Sequence, residues 1–244
     1  MSCESYLERY PLDAPSSASF PQSKVELEIA VTGAYNSLYR RLGGQMQDEL
    51  FWDNVTDLGY VRGGYESSES IMTGVASTRA FETHWSHRYI GIQRTNFIIE
   101  RLPQARTIID AEFCDRSEAE VRFIRAYHYM HLTERYGDVP LVVGSQTLED
   151  GNVARTPKSE IADFMLADLD YAIDKLPESY PEAERGRVTK GAALALKSRI
   201  ALYNGRYEAA AAAAKAVMEM PYQLHPSYGE LFQVSGNGSR EIIF

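Results

Sequence analysis

The sequence predicts an all-α fold in which antiparallel helical hairpins stack into a right-handed superhelix, with long loops and little strand. Three observations carry this expectation. Apolar residues recur at spacings of three and four in one segment after another. Several of these segments open on a Ser or Thr cap and close on Gly or Pro, the chemistry of helix starts and stops. Two Ala-rich segments flank a turn at Gly205, and small side chains let paired helices approach closely.

Taken in order, residues 1–22 read as a leader or tether. Pro11, Pro15 and Pro21 lie among Ser16, Ser17 and Ser19, a composition that resists regular helix. The first helix opens on Ser23-Lys24-Val25-Glu26, which has the capping-box form. Leu27, Ala30, Val31, Ala34 and Leu38 follow on one face, and Gly43 and Gly44 are expected to end it. Residues 43–77 show neither period. Their glycines and the aromatics Phe51, Trp52, Tyr60 and Tyr65 suggest a long structured loop, and such loops are often functional.

A helix is expected over 78–102, with Phe81, Trp85, Tyr89, Ile92 and Phe97 on its apolar face and Pro103 as its stop. A short connector at 108–113 leads to a second capping box, Ser117-Glu118-Ala119-Glu120, opening a helix to Tyr136. Val121, Phe123, Ile124, Ala126, Tyr127, Met130 and Leu132 cover more than one stripe, which predicts a central, buried helix. Gly137 caps it, and 138–143 runs out extended.

Thr156-Pro157 predicts an N-cap with Pro at the first helical position. Ile161, Met165, Leu169, Ala172, Ile173 and Leu176 make the next apolar face, and Pro177 ends it. Thr189 caps a helix over 190–204, whose partner over 207–220 completes a tetratricopeptide-like hairpin. The closing Ile242-Ile243-Phe244 is apolar and β-prone, and suggests that more protein follows.

Composition bounds the function. The chain is 44% hydrophobic and 24% charged, as expected of a globular domain. Its net charge of −9, with no Lys/Arg block, argues against nucleic acid or anionic lipid as a partner. Two cysteines, Cys3 and Cys114, make no disulfide framework. No P-loop or G-x-G-x-x-G occurs, so no nucleotide cofactor is expected. His84 and His87, like His128 and His131, are three apart on one helix without the Glu-x-x-His or H-E-x-x-H form. A structural role is therefore expected, and no metal site.

Within the central helix, 119–130 and the run Arg135-Tyr136-Gly137-Asp138-Val139-Pro140-Leu141-Val142 resemble the signature of SusD/RagB lipoproteins. Supporting stretches come in the same order: 34–39, Tyr89-Ile90-Gly91-Ile92-Gln93-Arg94-Thr95-Asn96, Asp168-Leu169-Asp170-Tyr171-Ala172, 186–193 and 241–244. The resemblance implies a tetratricopeptide-type N-terminal domain over 23–244, with the family's C-terminal part missing. It implies non-catalytic capture of an oligosaccharide or other nutrient at the outer membrane, beside a SusC-like TonB-dependent transporter. Ser2-Cys3-Glu4 then looks like the mature start of a lipoprotein whose signal peptide is absent here, with Cys3 lipidated. The plain alternative is a free thiol.

Sugar recognition needs flat apolar faces for C–H groups and planar polar side chains for hydroxyls. Trp52, Asp53, Asn54, Tyr60, Arg62 and Tyr65 offer both, and Trp85 could face the same groove. Burial of the aromatics in the core is the competing reading. Arg122 pairs with Glu118 by spacing, Arg125 is expected to satisfy a buried carbonyl or carboxylate, and Asp168, Asp170 and Asp174 read as a solvated face. Two rival functions stay open. One is a tetratricopeptide scaffold that binds proteins. The other is a glycoside hydrolase using two of Asp48, Glu49, Asp53 and Asp57.

Overall fold

The computed structural model describes residues 20–39, 41–42, 46–47, 56, 79–146 and 151–244. Mainly helical, it runs in the order α1 (Lys24–Tyr35), β1 (Arg41–Leu42), β2 (Met46–Gln47), α2 (Arg79–Ala105), α3 (Ala111–Tyr136), β3 (Val139–Pro140), β4 (Arg155–Thr156), α4 (Lys158–Lys175), α5 (Lys190–Tyr203), α6 (Tyr207–Met218) and the single turn α7 (Tyr228–Leu231). Among the described residues, strand is confined to two antiparallel pairs, β1 with β2 and β3 with β4. No helix among the described residues is long and apolar enough to cross a membrane.

Each helix packs on the next: α2 on α3, α3 on α4, α4 on α5 and α5 on α6, with α1 closing the other end against α2 and α3. The stacked hairpins thus follow the expected tetratricopeptide-like plan. The core runs along α3, where Val121, Ile124, Ala126, Tyr129 and Leu132 are fully buried. It meets Leu27 and Val31 from α1, Ile92, Ile98 and Leu102 from α2, and Ile161, Met165 and Leu169 from α4.

The helix ends show which local signals held. Ser23 caps α1 by accepting from the Glu26 N–H at 3.3 Å, and the Glu26 carboxylate answers by accepting from the Gln22 N–H at 2.8 Å. α1 stops at Tyr35, well before Gly43 and Gly44. Ser37 is buried there, and its hydroxyl donates to the Ala34 carbonyl at 2.5 Å, closing the last turn from outside the helix. α2 carries Pro103 inside its final turn instead of stopping before it. Leu102 and Ala105, buried on either side, keep that turn on the core despite the lost backbone bond.

α3 begins earlier than its second capping box predicts. Asp110 is the cap, accepting from the Phe113 N–H at 2.8 Å, so the expected connector is the first part of α3 itself. Ser117 lies buried in mid-helix, and Glu120 turns to Arg187 at 3.1 Å instead of back to the helix start. Gly137 ends α3 with φ of +71°, a conformation open to glycine. At α4, Thr156 sits in β4 and Pro157 takes the cap position. The first helical N–H, that of Lys158, is received by Asp138 at 2.8 Å. The α5–α6 hairpin turns on Gly205, also at φ +71°, and Ala192, Ala193, Ala201, Ala210 and Ala213 are buried along it.

Candidate functional site

Of the sequence-predicted ligand residues, Trp85 lies within the described part of the chain. Cys3, Trp52, Asp53, Asn54, Tyr60, Arg62 and Tyr65 lie outside it, as do Asp48, Glu49 and Asp57. Trp85 is half-buried on α2, between Tyr89 and Tyr136, with ring centroids 5.0 Å from each. The Tyr136 ring meets it nearly edge-on, at 82°. Both tyrosines are anchored through their hydroxyls: Tyr89 donates to the Pro140 carbonyl at 2.8 Å and Tyr136 to the Phe81 carbonyl at 2.8 Å. Burial pushes the Tyr89 phenol well above its usual range, so it stays a neutral donor.

Beside this aromatic group, the exposed face of α2 is hollowed. A small cavity of about 170 Å³ lies between Ser86, Tyr89, Ile90 and Gln93 on α2 and the segment holding Val142, Gly144 and Gln146. That segment is laced down by side chains. Asn96 Nδ2 donates to the Val142 carbonyl at 2.9 Å, and the Tyr129 hydroxyl both donates to the Val142 carbonyl and accepts its N–H. Glu100 accepts from the Ser145 N–H and hydroxyl. A wider groove of about 520 Å³ is lined by Ile90, Gln93, Arg94 and Phe97, with Gly33 of α1 and Asn36, just past its end, on the far side. Phe20 and Pro21, the described end of the leader, are buried nearby, with the Phe20 ring 5.5 Å from that of Phe97.

Behind this face, the seam between α2 and α3 is polar. His84, Arg88, Thr95 and Asn96 are fully buried, while Phe81, Trp85, Tyr89 and Phe97 only flank them. Of the apolar face expected of α2, Ile92 is buried as predicted and forms the apolar centre with Ile98 and Leu102, while Phe81, Trp85, Tyr89 and Phe97 make the rim. The two histidine pairs meet here, His84 near His131 and His87 near His128, at centroid distances of 6.2 and 6.5 Å. His128 Nε2 lies 2.8 Å from Ser37 Oγ, whose single proton is committed to Ala34. The ring therefore donates from Nε2 and keeps Nδ1 as an acceptor. Gly91 makes room for it: a Cβ at that position would stand 2.1 Å from His128 Nε2. Among the described residues no three His, Cys, Asp or Glu side chains converge as metal ligands would.

On the opposite side of α3, Arg125 grips Asp168 through Nε and Nη2, each at 2.8 Å, and reaches Asn96 Oδ1 at 2.8 Å. Arg122 adds Asp168 at 2.9 Å and Glu118 at 2.6 Å. Asp168 is thus a buried counter-ion and not part of a solvated face, whereas Asp170 and Asp174 remain exposed.

Known proteins share a helical scaffold of this kind. A SusD-like family model, described as starch-binding and associating with the outer membrane, matches residues 6–202. The chain belongs to the SusD-like family. SusD-like protein P25 of Formosa agariphila is 29% identical over 259 residues, covering 100% of this chain and 48% of that protein. A SusD-like protein from Bacteroides fragilis superposes with a TM-score of 0.82 at 29% identity, over 97% of this chain and 47% of the other. A laminarin-binding SusD-like protein superposes at 0.79 with 26% identity, over 91% of this chain and 50% of the other. The chain therefore spans about half the length of these SusD-like relatives, 48% in the case of P25.

The groove residues Asn36, Ile90, Gln93 and Arg94 were not singled out as ligand candidates by sequence reasoning. The signal for them was Ile90, a large apolar residue out of phase with the buried face of α2 and 47% exposed.

Proposed function

We propose that this chain captures glycan at the outer surface of the cell without transforming it, and passes it to a SusC-like TonB-dependent transporter. Lipidation at Cys3 would hold it to the outer membrane, since acyl chains supply the affinity that a net charge of −9 denies. The observation that carries the reading is the match of residues 6–202 to a family described as starch-binding and outer-membrane-associated. The laminarin-binding relative extends the same chemistry to another glucan. The proposed ligand residues are the loop side chains Trp52, Asp53, Asn54, Tyr60, Arg62 and Tyr65, together with Trp85 on the adjoining helix. They combine ring faces for sugar C–H groups with amide, carboxylate and guanidinium groups for hydroxyls.

Affinity electrophoresis against plant, algal, host and microbial polysaccharides tests this directly. Retardation on at least one glycan, with no new reducing ends released, is the expected result. Free mobility on every glycan would overturn capture by this chain, and release of reducing ends would replace capture by hydrolysis.

A further inference from the structure

We propose that the groove between α1 and α2 is a subsite for an anionic sugar, one carrying a carboxylate or a sulfate ester, with Arg94 as its counter-ion. The proposal rests on the glycan-capture reading and names the class of sugar. Its volume of about 520 Å³ falls within the range of small-ligand sites, roughly 300–1,000 Å³. It shares Ile90 and Gln93 with the smaller cavity, so the two hollows lie side by side along α2.

The chemistry of the walls sets the class. Ile90 is 47% exposed and, with the half-buried Phe97, offers an apolar surface for ring C–H groups. Gln93 and Asn36, both exposed, offer planar amides that can donate and accept. Arg94 stands exposed between them. Its Nη1 donates to the Gly33 carbonyl at 3.2 Å, and it makes no ion pair among the described residues. Among the described residues, no carboxylate lines either hollow. The uncompensated charge is felt inside the protein, where Arg94 is one of the groups holding buried His128 neutral. In a chain of net charge −9, a cation with no carboxylate beside it among the described lining residues attracts an anion, and its planar fork matches a carboxylate or sulfate.

The test is titration calorimetry of this chain with three probes: an oligogalacturonate, a sulfated galacto-oligosaccharide and a neutral laminari-oligosaccharide. At least one anionic probe is expected to bind, more weakly as salt is raised. Binding of the carboxylated probe alone assigns a uronate, of the sulfated probe alone a sulfate ester, and either result supports the anionic class. Arg94→Gln should weaken that binding at least about ten-fold. Gly33→Glu should do the same by placing a carboxylate beside Arg94. A Cβ at Gly33 meets nothing within 4 Å, so the backbone there has room for a side chain, and this variant tests the charge separately from loss of the arginine. Arg199→Gln, which removes an exposed cation on α5, is the charge-loss control and should leave binding unchanged. Anionic binding indifferent to both groove variants, or binding of the neutral probe alone, would overturn this proposal and leave glycan capture standing. Binding of no probe here, together with free mobility on every polysaccharide in electrophoresis, would overturn both.

Discussion

Asp168 has 1% of its surface exposed and two guanidinium groups upon it, from Arg122 and Arg125. Its phase on α4 places it there: it follows Ile161 by seven residues and precedes Ala172 by four, on the stripe of the core. The solvated face expected of it was wrong because residue type outweighed phase in that reading, and a carboxylate is buried only when it is paired, here with arginines far away in sequence. Asp168→Asn should cost about 3–5 kcal/mol in urea unfolding, since Arg125, nearly as buried, would lose its counter-ion. A loss below about 1 kcal/mol would mean that Asn96 and Glu118 suffice for the two arginines. Gly91 is a second residue whose role is fixed by contact. Gly91→Ala would drive a methyl into the His128 ring and should destabilise by about 1–3 kcal/mol. The same substitution in a His128→Ala background should cost less, and equal costs in both backgrounds would show that the clash lies elsewhere.

At the scale of elements, periodicity located the helices from α1 to α6, and the hairpin turn at Gly205 was legible from small residues and one glycine. The second capping box was not a reliable start, because burial of Ser117 and the pull of Arg187 on Glu120 outweighed a local motif of about 1 kcal/mol. The polar seam between α2 and α3 was equally hidden, since partners such as the Tyr136 hydroxyl for His84, at 3.1 Å, and Ser37 for His128, at 2.8 Å, are distant in sequence and arrive only when the helices pack. That seam predicts acid lability. Burial, then the charge of Arg88, pushes both His128 and His131 well below the ordinary imidazole range. Also facing them are His87 and Arg94 for His128, and Arg135 and His84 for His131. The unfolded chain therefore binds protons that the native seam refuses. This contribution to stability is complete above about pH 6.5 and is lost as pH falls below it, by up to about 1.4 kcal/mol per pH unit for each histidine. Glu120, raised by burial against the pull of Arg187, works in the opposite sense below neutrality. Glu118 adds to the loss below about pH 4.5, because Arg106 and Arg122 outweigh its burial and lower its pKa. Urea midpoints should fall between pH 7 and pH 5, and His128→Gln with His131→Gln should flatten that fall. A slope unchanged in the double variant would assign the lability to other groups.

On the scale of the whole molecule, the layers are unequal. Most of α3 is buried between α2 and α4, whereas α6 buries only Ala210 and Ala213 and exposes Tyr207 and Met218. The plan of the stack was legible in the sequence because each helix buries a stripe against its neighbour, which periodicity reports. The ligand face was less so: of the seven side chains proposed for it, Trp85 has a described position, and the adjoining groove depends on residues that α1 and α2 bring together from 54 or more positions apart, as Asn36 and Ile90 are. In a stack where each layer holds mainly its neighbours, stability should follow position more than helix propensity. The Ala-rich α6 has the best intrinsic propensity and the least burial. If packing governs, amide exchange at neutral pH should be slowest along α3, intermediate in α4 and α5 and fastest in α6. The α6 amides should exchange at least about a hundred-fold faster than those of α3, through openings that leave the rest folded. Equal exchange across all four helices would instead mean one cooperative unit, with the Ala-rich hairpin held by propensity and by the tail that returns Phe244 onto Phe123 at 5.4 Å.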